Sequence, residues 1–494
     1  MNPLWTLLPP LAAIPFIVGL GEVRRNLREA SIVVAGVALL LVNVAIYRAT
    51  LAGEVSESGA YTLVSGPSGN PFTLQLAAEP MGVMFALLAS FLWIVTTFYS
   101  VGYMRGHHET HQTRFYTCFA LALAAVMTAA YAANLLTLFI AYEALTLSTF
   151  PLVTHAGNDA SRRAGRVYLG ILLASSIGLF LPALIWTEVA AGSLDFVPGG
   201  VLADAGLSGG ALAILLAMFT FGIGKAAVMP LHRWLPAAMV APTPVSALLH
   251  AVAVVKTGVF SLLKIVTYTF GIDTVAGSGA ATWLLPVAAF TVIAASVVAF
   301  TKDNLKARLA YSTIGQLSYI VLAALLATTM SVTGGAAHIV MHAFGKITLF
   351  FCAGAIIVFA HKNLISELDG LGRRMPWTMG AFLVGALGII GLPPAGGLWS
   401  KMLIVGGSFD TDTLVWALVL LFSTLLNIAY LLPIPIRAFL RPLPGVAPGQ
   451  AVVRAEAAWP SLAAILVTAT ITVLLFLYPA PLMELLGLIR WRVS

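Results

Sequence analysis

Long stretches of apolar side chains follow one another through this chain, and a water-soluble fold has no place to put them. A helix crossing the hydrocarbon core of a bilayer needs about 20 mostly apolar residues. About fourteen segments meet that need. They lie at 3–20, 30–51, 79–101, 115–133, 134–154, 166–190, 209–229 and 243–268, and then at 280–300, 306–328, 334–360, 378–406, 412–438 and 459–487. Only 9% of the 494 residues are charged, against roughly 25% in a soluble domain. The expectation is an all-α polytopic membrane protein, one membrane domain over 1–494. The first apolar run lacks the charged start and cleavage site of a signal peptide and reads as a retained span.

Lys and Arg in the short loops set the orientation. Alternate loops carry Arg24, Arg25 and Arg28, then Arg105 and Arg114, then Arg162, Arg163 and Arg166. The same side continues with Arg233, with Lys302, Lys306 and Arg308, with Lys362, Arg373 and Arg374, and with Arg437, Arg441 and Arg454. The opposite loops hold Glu54, Glu57, Glu188, Asp195, Asp204, Asp273, Asp410 and Asp412. By the positive-inside rule both termini face outward. Arg490 and Arg492 depart from that pattern. The longest outward loop is the Gly- and Ser-rich stretch 52–78.

The net charge of +7 is scattered through these loops, with no basic stripe interleaved with aromatics, so nucleic acid is not an expected partner. The two cysteines, Cys118 and Cys352, sit inside apolar runs. They are too few for a disulfide framework or an iron–sulfur cluster and read as inert buried thiols.

Several ionisable residues fall where lipid should be. A charge at mid-bilayer costs roughly 2.5–3.5 kcal/mol on insertion scales. Yet Glu143, Lys225, Lys256, Lys264, Lys346 and Lys401, with His250, His338 and His342, lie within or near the ends of spans. Such a set has to face a hydrated interior and one another. Glu143 lies about nine residues, or about 13 Å, into its span, and is expected to pair with Lys225. That pair serves either transport or helix association. His250 and Lys256 are six residues apart and do not share a helix face; a water chain between them and a His250 satisfied by a neighbouring helix are both open. His338, His342 and Lys346 follow at successive offsets of four, on one face, a spacing that suits proton hopping, and histidine titrates near neutrality. No acidic or cysteine partner sits beside the two histidines, so metal is not expected there. Lys264, near a span end, reads as a snorkelling lysine.

Two spans carry breaks. Gly222, Gly224 and Pro230 bracket Lys225, and Pro393, Pro394, Gly396 and Gly397 precede Lys401. Interrupted helices free backbone groups and are common where a span lines a wet cavity. Lys401 is then a terminal proton site, the alternative being a snorkelling lysine. The HHETH run at 107–111 is not the zincin pattern and lies in a short loop. Ser261–Lys264 lacks the companion motifs of S-x-x-K enzymes, and GIGK lacks phosphate-loop spacing. No cofactor, metal, redox or nucleotide site is expected.

The motifs AYEALTLSTFPLV, GKAAVMPLHRWLPAAMVAPTPVSALLHAVAVVKTGVF, ARLAYSTIGQLSY, HAFGKITLFFCAGA and GLPPAGGLWSK resemble those of the antiporter-like subunits shared by Mrp-type cation/proton antiporters and respiratory complex I. The resemblance covers most of the chain and is densest from about 115 to 405. It implies fourteen helices with two inverted five-helix repeats, each with a broken helix: N-terminal helices over 1–114, a first repeat over 115–268, a second over 280–440 and a C-terminal helix over 459–487. It implies a Glu143–Lys225 ion pair, Lys256 as connecting lysine, His338, His342 and Lys346 in a central hydrophilic axis, and Lys401 as terminal lysine. Length, Lys401 and the Lys256 context look most like the D-type subunit of Mrp antiporters, whereas APTPVSALLHA reads more like the distal complex I subunit. The implied function is proton translocation coupled to Na⁺ or K⁺ movement within a hetero-oligomer of membrane subunits in a bacterial inner membrane. The alternative is a proton-pumping subunit of a complex I-related respiratory or hydrogenase assembly. In either case the chain is a transport subunit rather than an enzyme.

Overall fold

The computed structural model describes residues 1–66, 69–411, 413–445 and 453–491; Asp412 and Arg492 lie outside them. Among the described residues twelve helices are long and apolar enough to cross a membrane. They are α1 (Pro3–Leu20), α2 (Arg25–Leu51), α3 (Pro80–Gly106), α4 (Gln112–Ala130), α5 (Leu135–Val153) and α6 (Asp159–Ala191). After the short apolar α7 (Gly209–Gly222) come α8 (Thr243–Phe270), α9 (Leu284–Thr301), α10 (Leu305–Leu326) and α11 (Thr329–Ala360). A second short apolar pair, α12 (Pro376–Ile390) and α13 (Gly397–Phe409), precedes α14 (Val415–Leu440) and α15 (Trp459–Leu477). A short α16 (Ala480–Gly487) follows. The expected last span of 459–487 is therefore two helices, because the chain turns at Tyr478 and Pro479.

Side-chain caps start many of these helices where the sequence supplies Asn, Ser, Thr or Glu. Asn134 accepts from Thr137 N (2.8 Å), Asn158 from Ser161 N (2.8 Å) and Asn304 from Ala307 N (3.0 Å). Thr328 and Ser331 form a reciprocal capping box at the start of α11. Depth of burial sorts the helices. The most apolar windows of α8, α10 and α11 are 100%, 94% and 83% buried, and those of α1, α2, α14 and α15 only 28–33%. Three helices thus form a centre with protein on every side, and the buried lysines and histidines of α8 and α11 lie there.

Contacts gather the Arg- and Lys-bearing loops at one end. Arg105 bonds Asn26 Oδ1 (2.7 Å) and Glu29, and Arg114 bonds the His155 carbonyl (2.8 Å). Lys306 reaches the Ala241 carbonyl (2.6 Å), Ser366 Oγ donates to Asp303 (2.6 Å) and Arg437 pairs with Asp369 (2.7 Å). Arg28 is not a free loop charge: it is fully buried, held by Glu22 (3.0 Å) and Gln112 (2.9 Å). The opposite end joins the acidic loops. There Asn134 bridges to Asp195, and Tyr268 hydroxyl donates to Glu79 (3.0 Å). The 52–78 stretch, expected as a plain loop, contains an antiparallel hairpin of β1 (Tyr61–Ser65) and β2 (Pro71–Leu74). Its Gly and Ser content hid the β-branched and aromatic residues of YTLV and FT that build it.

Candidate functional site

Helix α7 ends at Gly222, and the chain does not resume a long helix until Thr243. Gly224–Ala226 form one 3-10 turn, and Ala227 adopts a left-handed conformation (φ 56°). Pro230 lies in the irregular stretch beyond, after a cis Met229–Pro230 bond. Glycine at 258 lets α8 lie against this turn, since a Cβ there would overlap the backbone of Lys225 and Ala226. Lys225 is fully buried. Its ammonium donates to the Tyr142 carbonyl (2.7 Å) and Thr146 Oγ1 (2.5 Å) on α5, and it lies over the Tyr142 ring. Tyr142 hydroxyl accepts from Lys225 N (3.0 Å).

The expected Glu143–Lys225 ion pair is not made as a direct contact. Every described carboxylate–cation pair within 4.0 Å has other members, and both Glu143 oxygens are buried without a hydrogen-bond partner. The physical reason is local: Tyr142 and Thr146 stand on the face of α5 toward α7 and occupy the donors of Lys225. Glu143 stands on the same helix, next in sequence to Tyr142.

At the centre Lys256 Nζ lies 2.6 Å from His342 Nδ1, which joins α8 to α11. A charged Lys256 donates here, and His342 then carries its hydrogen on Nε2. His342 stacks on His338, ring centroids 5.7 Å apart. His338 contacts Ser400 Oγ (2.8 Å) through Nδ1 and Gln316 Oε1 (3.2 Å) through Nε2. The file therefore runs from α8 through α11 to α13. Lys346, one turn past His342, donates to Ser312 Oγ (2.8 Å), which also accepts from Tyr430 hydroxyl (2.9 Å). His250 is set apart. It lies tilted against the Phe350 ring (4.6 Å between centroids), and neither ring nitrogen has a hydrogen-bond partner. It lies in a π-helical segment, Leu248–Val252, a departure from α geometry that is frequent at functional sites.

The second break spans 391–396, between α12 and α13. It has Gly391 in a left-handed conformation (φ 85°) and a cis Pro393–Pro394 bond. Gly396 N donates to the Thr472 carbonyl (2.9 Å), so a backbone group freed by the break finds a partner on α15. Lys401 donates to the Ile390 carbonyl (3.0 Å) at the broken end of α12 and contacts Thr424 Oγ1 (3.5 Å). It lies over the Tyr319 ring at 4.7 Å and is 7% exposed, so it does not snorkel.

Lys264 also departs from its expectation. It is 1% exposed and pairs with Glu79 at 3.2 Å, because Glu79 in the loop before α3 folds over the end of α8. In the 107–111 loop Glu109 meets His107 (3.0 Å) and lies 3.8 Å from His155. Burial pushes the His155 imidazole below its usual range. Among the described residues no group of three or more metal-type ligands is close enough to hold an ion. Sequence reasoning missed Tyr142, Thr146, Ser312, Gln316, Tyr319 and Ser400. A signal existed on α10, where Ser312, Gln316 and Tyr319 repeat at offsets of four and three and mark one polar face of an apolar helix.

Comparisons with known proteins fit this arrangement. Residues 132–427 match the family described as NADH:quinone oxidoreductase/Mrp antiporter, transmembrane. NAD(P)H-quinone oxidoreductase chain 5 of a Synechocystis species is 31% identical over 72% of this chain, which spans only 53% of that longer protein. The D-type subunit of the Na⁺/H⁺ antiporter of Alkalihalophilus pseudofirmus is 27% identical over 86% of this chain and 85% of its own length. Two solved structures share the fold at a TM-score of 0.83 over 98% of this chain and 96% of theirs. They are the archaeal membrane-bound sulfane sulfur reductase, 22% identical, and the Mrp complex of a Dietzia species, 20% identical. Buried lysines at two helix breaks, a histidine file between them and a family match over 132–427 lead to one assignment: the chain is a multi-pass membrane protein and belongs to the NADH:quinone oxidoreductase/Mrp antiporter transmembrane family.

Proposed function

We propose that this chain is the proton-translocating subunit of a multisubunit monovalent cation/proton antiporter, with Na⁺ or K⁺ as the coupled ion. Protons move along Glu143, Lys225, Lys256, His342, His338, Lys346 and Lys401, with His250 beside the path. The observation that carries this reading is the 2.6 Å contact between Lys256 and His342, which ties the first half of the chain to the second through two titratable groups. The near-equal coverage of this chain and the D-type antiporter subunit supports it. The two halves, 115–268 and 280–440, serve as repeats around that contact. Other membrane subunits complete the assembly, in a bacterial cytoplasmic membrane with the positive end inside and both termini outside.

Charge crossing the membrane is worth about 2.3 kcal/mol per 100 mV, so one proton drives one ionic step. The test replaces Glu143 or Lys225 with Ala in the whole complex and follows cation/proton exchange in vesicles. Wild-type exchange at normal assembly would remove both residues from the path. A second reading, a proton-pumping subunit of a redox-driven assembly, is favoured by the likeness to the quinone oxidoreductase chain and to the sulfane sulfur reductase. Purifying the native complex separates the two. Co-purifying redox subunits select the second, and small membrane subunits alone select the first.

A further inference from the structure

Lys264, Glu79 and Tyr268 form a polar cluster that the path above does not use. Lys264 stands two turns beyond Lys256 on α8, about 12 Å along the axis. Its ammonium is 3.2 Å from Glu79 Oε1. Glu79 is held in place, accepting from Met81 N (3.0 Å) and Gly82 N (2.9 Å) at the start of α3 and from Tyr268 hydroxyl (3.0 Å). Its side chain keeps 21% exposure and lines a cavity of about 490 Å³ at the acidic end of the molecule. Lys264 and Tyr268 line the same cavity. Toward Lys256, Ser261 hydroxyl donates to the Thr257 carbonyl (2.7 Å), and the buried Thr257 hydroxyl has no partner. Residues 257, 261, 264 and 268 fall at helical offsets of four, three and four, so one face of α8 is polar from Thr257, the residue after the central lysine, to the cavity.

A snorkelling lysine would carry its charge out to water. This one is sealed, and its carboxylate partner is the group that meets the cavity. We propose that Lys264 and Glu79 are a proton-exchange station linking Lys256 to the aqueous phase at the acidic end, a deepening that rests on the proton-translocation reading above. The steps are simple transfers. Neutral Lys264 takes a proton at Nζ by way of the Thr257 and Ser261 hydroxyls, the ammonium gives it to the Glu79 carboxylate, and the carboxylic acid releases it to water. The charged and titratable groups facing the station are Tyr268, Glu54, Glu57, Asp195 and Arg490, which line the cavity, and Tyr131, whose hydroxyl is bonded to Asn43 (2.7 Å).

The test uses the whole complex in vesicles of either orientation, with exchange measured while pH is varied on one face at a time. Lys264→Met should lose roughly tenfold or more of exchange, and Lys264→Arg, which keeps the charge beside Glu79 but cannot give up its proton, should lose as much, whereas a purely structural ion pair would survive the Arg. Glu79→Gln should shift the pH midpoint only when pH is varied on the cavity face. A purely structural ion pair moves neither face's pH profile. Wild-type exchange in Lys264→Met beside a dead Lys225→Ala overturns the station alone, and wild-type exchange in both overturns the underlying reading. Should Lys264→Met fail to assemble, Glu79→Gln carries the test with Glu79→Asp beside it, both read as exchange against the pH of each face. A midpoint shifted from the cavity face in Glu79→Gln and largely restored in Glu79→Asp is expected; midpoints unmoved from that face in both reject the proposal.

Discussion

At the first break Lys225 donates to a carbonyl of α5 and to Thr146, beneath the Tyr142 ring; at the second, Lys401 donates to the carbonyl of Ile390, contacts Thr424 and lies over the Tyr319 ring. Each break has a left-handed residue, Ala227 or Gly391, and a cis X–Pro bond. The parts match and the electrostatics do not. Lys225 is bonded to groups of α5, the helix that also carries Glu143, whereas the hydrogen-bond partners of Lys401 are an uncharged carbonyl and hydroxyl, and Ser400, beside it in sequence, contacts His338. One backbone solution thus holds a buried ammonium in two settings, one with a carboxylate on the contacting helix and one without.

The sharpest way to break this comparison is to remove each ammonium in turn. Lys225→Ala should lower exchange by about 100-fold, and Lys401→Ala by roughly tenfold, because the His338–Ser400 contact still reaches α13. Equal losses would mean that the carboxylate on the contacting helix does not matter. Lys401→Glu should retain more exchange than Lys401→Ala, since it restores a titratable group over the Tyr319 ring; identical rates would show that the site needs no proton carrier. On the packing side, Gly258→Ala and Gly397→Ala each push a Cβ into backbone, at Lys225 and at Gly388 respectively. Both should destabilise by about 1–3 kcal/mol, read as a lower melting temperature of the assembled complex. The smallest expected effect lies outside the membrane. The Arg437 hydrogen bond to Asp369 holds that carboxyl below the usual aspartate range. Its contribution is present above the unfolded pKa and fades as pH falls through the folded one. Asp369→Asn should therefore cost at most about 1 kcal/mol near neutrality and nothing in strong acid, by thermal melts at several pH values.

Much of this was legible because lipid penalises charge. Lys225, Lys256, Lys346, Lys401 and the two α11 histidines stood out against apolar sequence, and Gly and Pro marked both interruptions. Partners were harder to read. A Thr or Ser within a spanning helix ordinarily bonds its own backbone, as Thr146 does with the Tyr142 carbonyl (3.2 Å), and nothing in the sequence says that it also receives a lysine. Glu143 was assigned to Lys225 because opposite charges attract, yet nearer dipoles on the same helix took the contact. Glu79 was invisible as a partner for Lys264 because 185 positions separate them and the loop that brings them together has no periodicity to read.

On the proposed proton path, the short contact between Lys256 and His342 has a kinetic consequence. A single hydrogen fits between the two nitrogens. Once the imidazole has accepted it on Nδ1 and shed the other hydrogen from Nε2, the ring is left in the opposite tautomer and has no lone pair to offer the lysine. Traffic through this point then halts until the ring turns over or a hydrogen returns to Nε2. On that path the junction behaves as a turnstile rather than a wire, admitting one passenger per reset.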